Sequence, residues 1–279
     1  MGRPTRRVGG SFHEMPLVWF TALGIAGGGI GAAKLLTAVL LGSAPSLTGW
    51  EALVLCALLG GGFLLSAGHL GRPLRGPLAL RGIVRSALSR EILALAVTLA
   101  GGAVGAAFSS TPLLGWGSGV VVGFGSVAFL LAVGDVYALP NQLAWRGPVA
   151  LHPLVLGLAW GLLFLLGSSG TPMAPSLLPA LWVTLLADTT LVGYRILVAG
   201  RRGGDGELSH PGAFRLRGGL WGLRLGLSAM ATPLAFGSGR WGLALVCLSL
   251  AVLLDRWTFY ALAFRATTES EVARVEALL

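Results

Sequence analysis

One feature recurs along this chain and limits what it can become. Stretches of about 20 apolar residues follow one another, each closed by glycine, proline or a group of arginines. At the rise of an α-helix, a run of that length matches the hydrocarbon thickness of a bilayer. Inside lipid a backbone must satisfy its N–H and C=O groups internally, so such runs cross as helices. Composition adds the complementary argument. Only 11% of the residues are charged and the mean hydropathy is +0.80, which leaves too few polar groups to coat a water-soluble surface. No polar stretch is long enough to be a separate soluble domain.

The expected fold is therefore all-α, a polytopic membrane bundle of eight transmembrane helices. The spans are read as Met15–Leu41, Trp50–Leu70, Arg90–Phe108, Trp116–Leu139, Pro148–Leu166, Leu177–Ala199, Gly219–Phe236 and Trp241–Phe264. Residues 1–14 form an N-terminal segment, 15–264 the membrane domain and 265–279 a short charged tail. Pro16 suits a first turn, where its missing N–H has no partner to lose. Gly71-Arg72-Pro73 stops the second helix, and Ser89 is the expected N-cap of the third. The first span is longer than a signal-peptide core and contains Lys34, so it reads as a retained helix. The 44 glycines are spread through the spans, where small residues let helices approach closely. The two halves each place a long basic loop between their second and third helices, which hints at an internal duplication.

Charge gives the orientation. With eight spans, one side collects Arg3, Arg6 and Arg7, the arginines from Arg72 to Arg90, Arg146, those from Arg201 to Arg217, and Arg265 and Arg274. The loops of the other side hold only Arg240. Basic loops stay cytoplasmic, so both termini are expected on the cytoplasmic side of a bacterial or archaeal inner membrane. The net charge of +9 is a record of orientation, not of nucleic-acid binding.

Few residues can carry chemistry. Cys56 and Cys247 lie in apolar runs and cannot cage an iron–sulfur cluster, which takes about four cysteines. They read as small buried hydrophobes. His13, His69, His152 and His210 all sit at helix ends or in loops on the basic side, and no pair faces across a span as a haem would need, so no haem or metal is expected. Ionisable groups at membrane depth are functional candidates, and these are Lys34, Asp188, Arg195, Arg224, Asp255 and Arg256. Asp188 and Arg195 are seven apart, on one helical face. They suit either structural ion pairs or the lining of a proton or ion path. The densest polar run is Ser66-Ala67-Gly68-His69-Leu70-Gly71-Arg72-Pro73-Leu74-Arg75, followed by Ser89-Arg90-Glu91. His69 closes one helix and Glu91 opens the next, at similar depth near the interface. Together they suit proton acceptance from a lipid-phase donor. Separately, Glu91 is an acid in a first turn and His69 an interfacial polar residue.

Here the sequence resembles a known family, the membrane anchor subunit of dimethyl sulfoxide reductase and related molybdopterin oxidoreductases. The residues that carry the resemblance are His13-Glu14-Met15-Pro16 with Trp19-Phe20-Thr21, Gly68-His69 with Gly71-Arg72-Pro73, Ser86 with Ser89-Arg90-Glu91, Val136-Tyr137 with Pro140 and Trp145, and Asp255-Arg256-Trp257 with Tyr260. The resemblance implies an eight-helix anchor with no covalently bound cofactor and no metal of its own. It implies two partner subunits, one carrying molybdopterin and one carrying four iron–sulfur clusters. It further implies exchange of electrons with menaquinol or menaquinone, in a subunit that is a non-catalytic anchor or quinone-reactive, at a site expected to include His69, Glu91, Arg72, Arg75, His13 and Tyr137. The terminal substrate would belong to the catalytic partner. Two other readings fit the same residues. One is a secondary transporter with Lys34, Asp188 and Arg224 as a charged midplane site. The other is a lipid- or haem-handling structural protein without a redox role.

Overall fold

The structure is a computed structural model that describes residues 15–69, 82–84, 86–138, 147–168, 177–201, 211–236 and 240–262. Among the described residues there are eight α-helices: α1 (Met15–Leu41), α2 (Gly49–His69), α3 (Ala87–Phe108), α4 (Pro112–Tyr137), α5 (His152–Ser168), α6 (Leu177–Arg201), α7 (Pro211–Phe236) and α8 (Trp241–Leu262). A short 3₁₀ segment, Gly147–Leu151, leads into α5. Seven of the helices are long and apolar enough to cross a bilayer by length and composition. Helix α7, which carries Arg215, Arg217 and Arg224, is not among them. The protein is a polytopic helical membrane protein. The segment 1–14 and the tail 265–279 lie outside the described residues.

Local chemistry explains most boundaries. Gly42 adopts φ +60° just past α1, and Ser43 N–H donates back to the Ala38 carbonyl, a glycine C-terminal closure. Thr48 and Glu51 open α2 as a capping box. The Glu51 N–H donates to Thr48 Oγ1 at 3.2 Å, and the Thr48 N–H donates to Glu51 Oε2 at 2.8 Å. Three starts differ from the sequence reading. The N-cap of α3 is Ser86, whose hydroxyl accepts from the Ser89 N–H. Ser89 itself is buried inside the first turn. Helix α4 begins at Pro112 and α7 at Pro211. In both, proline occupies the first helical position, where its fixed φ is an asset. The hydropathy drop at Arg215 and Arg217 therefore marks a polar turn of α7 rather than a loop.

Each half of the chain repeats one packing plan. In the first half α1 packs on α2 and α4, α2 on α3, and α3 on α4. In the second, α5 packs on α6 and α8, α6 on α7, and α7 on α8. The two first helices, α1 and α5, meet at the centre. Their crossing is backbone on backbone. A Cβ on Gly29 would stand 2.2 Å from the Gly157 carbonyl oxygen, and one on Gly161 would stand 2.0 Å from the Gly29 carbonyl oxygen. Around the crossing lie Ile25, Ile30, Leu130, Leu156 and Leu162, all fully buried. Helix–helix association in lipid gains little from the hydrophobic effect and much from such contact.

Gly29→Val is therefore expected to force α1 and α5 apart, with a loss on the order of 3 kcal/mol or more, read as a lower unfolding temperature or loss of the monodisperse peak in detergent. Gly60→Ala, on an α2 surface with nothing within 4 Å of the added methyl, should leave both unchanged.

Candidate functional site

Helix register places the polar residues of the first half at its basic end. In the α2–α3 pair, Leu55 and Cys56 meet Gly102, and Ala52 meets Gly105. Following that antiparallel register sets Glu91 level with Ser66. His69 then lies one turn nearer the basic end, about 4.5 Å along the axis. The α3–α4 contact of Gly101 with Val121 and Val122 sets Glu91 level with Ala132. Glu91 is 2% exposed, and among the described residues its Oε1 has no hydrogen-bond partner. Its helix face is otherwise Ala94, Leu95, Thr98 and Gly101. A buried carboxyl oxygen without a partner costs several kcal/mol, which makes Glu91 a candidate site residue.

The neighbouring residues behave differently. Arg90, one residue before Glu91, points outward and meets Asp135 near the end of α4 at 3.5 Å, both about half exposed. Such a pair contributes little. His69 and Tyr137 are the last residues of α2 and α4, which puts both at the same end of the bundle as Glu91. Their side chains lie outside the described residues, as do His13, Arg72 and Arg75. Next to this end, the Phe20 and Phe129 rings meet edge to face at 6.5 Å, closing the α1–α4 contact one turn deeper.

The second half holds the largest group of buried charges among the described residues. His152 on α5, Asp188 and Arg195 on α6, Arg224 on α7, and Asp255 and Arg256 on α8 are each at most 5% exposed. Arg224 grips Asp188 with both terminal nitrogens, at 2.6 and 2.5 Å. Arg195 donates to Asp255 at 2.8 Å, and Arg256 donates to Asp255 through Nε at 3.0 Å and also through Nη2. His152 sits between the two pairs. Its Nε2 is 2.8 Å from Asp188 and its Nδ1 2.8 Å from Arg195. All four helices of this half are tied by one network.

The transporter site does not form. Asp188 and Arg224 do pair, but Lys34 pairs with Glu51 at 3.0 Å, where α1 ends and α2 begins. That is the opposite end of the bundle from His69 and Glu91.

A family model, DMSO reductase anchor subunit (DmsC), matches residues 8–142. Over that stretch the chain is similar to the DmsC family. No curated protein matches the chain. The DmsC region runs from before α1 to just past α4, so it is the first of the two structural halves and contains Glu91, His69 and Tyr137. The His152 network lies wholly outside it.

Sequence reading found Glu91 and the Asp188–Arg195 face. It set His152 apart as a helix-end residue at the basic surface, because a proline-led 3₁₀ turn hides how far inside the bundle α5 begins. The available signal was the count of charges in spans 6, 7 and 8: two acids and three arginines in lipid need each other.

Removing one partner strands the rest. Arg224→Ala and Asp188→Ala are each expected to cost about 3–5 kcal/mol, and the double variant clearly less than the sum, in a thermal-unfolding cycle in detergent. Additive losses would mean that the pair is not coupled.

Proposed function

We propose that the chain is the quinol-oxidising, or quinone-reducing, anchor subunit of a molybdopterin/iron–sulfur oxidoreductase complex. It passes electrons between the menaquinone pool and an iron–sulfur partner subunit. The observation that carries this reading is Glu91: a buried carboxyl with one oxygen unpartnered, at the basic end of the half that the DmsC model matches. The family's name supplies the anchoring role, and the site chemistry supplies the quinol role.

A quinol delivers two electrons and two protons. The electrons must leave to a cluster held by the partner, so the ring belongs at the face where that subunit docks. The protons need acceptors near that face. Glu91 accepts a hydrogen bond from a ring hydroxyl at its unpartnered oxygen and takes the proton. His69, whose backbone lies one turn nearer the surface, supplies an imidazole that hands it to water. Tyr137, the last residue of α4, lies at the same end, and His13, two residues before α1 in the sequence, completes the proposed set. In this reading Arg72 and Arg75, which follow α2 in the sequence, balance the carboxylate's charge and contact the partner. The isoprenoid tail leaves between apolar helices into lipid. In this reading both termini and the basic loops are cytoplasmic, and the molybdopterin subunit joins through the iron–sulfur subunit.

Two experiments test it. His69→Leu and Glu91→Gln should each cut quinol-linked turnover at least about 100-fold, the scale of a lost acid–base group, while turnover with a dye that feeds the soluble subunits survives. Full quinol activity in both variants would remove the site assignment. Reporter fusions after Arg202 and after Gly237 should report inside and outside respectively, and the reverse pattern would invert the topology.

A further inference from the structure

Helix α8 is the floor of an open trough on the lipid side of the bundle. Both α1 and α7 pack on α8, but they make no comparable contact with each other. The gap between them is a cavity of about 500 Å³. Three stripes at helical spacing line it: Met15 to Trp19 on α1, Leu223 and Leu227 on α7, and a stripe from Leu250 to Trp257 on α8. Apart from two indole nitrogens and one thioether, every lining side chain is hydrocarbon. The ionisable residues between the stripes, Arg224, Asp255 and Arg256, turn inward to the His152 network. Trp19, Leu223 and Leu250 are each more than 40% exposed, so the trough is open at its side. Side chains that face a void lose their dispersion contacts, and a chain of methylenes laid in the trough restores them.

Charge narrows what that chain belongs to. The trough reaches the basic end of the bundle, where Met15 opens α1 and Leu262, five residues past Trp257, closes α8. Neither α1 nor α7 contains an acidic residue. The one acid of α8, Asp255, is bound to Arg195 and Arg256 inside the bundle. Arg215 and Arg217 lie on the first two turns of α7, about 9–12 Å from Leu223 toward the basic end at the rise of a helix. Before α1 the sequence has Arg3, Arg6 and Arg7 against Glu14, and between α6 and α7 Asp205 and Glu207 offset Arg201 and Arg202. After α8 the first charge is Arg265, with Glu269 and Glu271 further on. The balance at this end of the three helices is positive.

We infer that the trough is a binding site for an anionic phospholipid, with one acyl chain between α1 and α7 over α8 and the phosphate at the level of the first turns of α7. The chain supplies the contact that α1 and α7 lack, and so closes a second seam between the two four-helix units, apart from the Gly29–Gly157 crossing. Trp19 and Trp257 stand within five residues of the basic ends of their helices, the level at which indoles favour the membrane interface. Arginine binds phosphate through charge-assisted hydrogen bonds, and basic residues at a membrane surface draw anionic lipid. A zwitterionic lipid can lay its chain in the same trough but gains little from the charge. The tail of a quinol at Glu91 is a poorer occupant. Glu91 belongs to α3, which packs on α2 and α4. Helix α4 meets α1 at Gly24, half a turn around the helix from Met15, so Glu91 and the trough lie on opposite sides of α1.

The test is native mass spectrometry of the full chain released from nanodiscs of equal parts phosphatidylglycerol and phosphatidylcholine with the same acyl chains. One phosphatidylglycerol should be retained roughly tenfold over phosphatidylcholine, and the preference should shrink when the lipids are exchanged at high salt. The double variant Arg215→Gln/Arg217→Gln should bring the two lipids close to equal. Leu223→Trp fills the trough from an exposed position and should remove the retained lipid. Leu243→Trp, on an exposed part of α8 outside the trough, should not. If Leu223→Trp does not fold, fluorescence decides. Acyl-brominated phosphatidylglycerol should quench the wild type more than brominated phosphatidylcholine at the same fraction, and the excess should vanish in Trp19→Phe/Trp257→Phe. Equal retention of the two lipids, undiminished retention by Leu223→Trp or by the arginine variant, or no excess quenching would each overturn the proposal. No readout involves quinol, so the lipid site stands or falls apart from the Glu91 assignment.

Discussion

The α1–α5 crossing holds the two halves of this protein at backbone distance, and the rest of the arrangement follows from it. Gly29, Gly157 and Gly161 have no side chains to keep the helices apart. In lipid, where burying apolar surface against protein rather than tails gains little, that close contact is the main source of association. Once α1 and α5 are fixed together, each becomes the first helix of a four-helix unit, and each unit repeats the same neighbours. A second close approach, where the Ala150 carbonyl lies against Gly134, joins α4 to the turn that leads into α5. It brings the basic end of the first unit alongside the start of α5.

The two units then treat ionisable groups in opposite ways. The first leaves Glu91 buried and incompletely bonded, and places its Arg90–Asp135 pair out in the open. The second gathers six ionisable side chains and bonds them to one another. Both solutions meet the cost of burying a charge. One keeps a carboxyl that a ligand can complete, and the other completes the set internally. The stretch that the DmsC model matches coincides with the first unit, so the half that holds Glu91 is also the half that the match covers.

The internal network bears on folding. Asp188, Arg195, Arg224 and Asp255 come from three different helices, and His152 adds a fourth. A misplaced α7, the least apolar of the eight, would leave Asp188 without Arg224 and with only His152 as a partner. Arg224, one of the three arginines of this least apolar helix, holds it to α6 through Asp188.

Much of this was legible in the sequence, for a definite reason. The lengths of the apolar runs, the proline and glycine stops and the alternation of basic loops are all local, and the bilayer turns local hydropathy directly into helices. Met15–Leu41 came out residue for residue, and the start of α8 at Trp241 likewise. Glu91 stood out because it opens one helix at the depth where His69 closes the one before, within the stretch that carries the family resemblance. What the sequence left undecided is whatever depends on which helix faces which. The starts of α3, α4 and α7 turned on a serine cap and two first-position prolines, where hydropathy is silent. Lys34, Asp188 and Arg224 could be read as one charged site or as structural ion pairs, and packing sends Lys34 to Glu51 and Arg224 to Asp188. His152 looked like a surface residue because its place in the chain is a helix end. Only the tertiary structure put that helix end inside a ring of four helices, since the partners of a buried charge are chosen by approach in space and leave no mark on spacing along the chain.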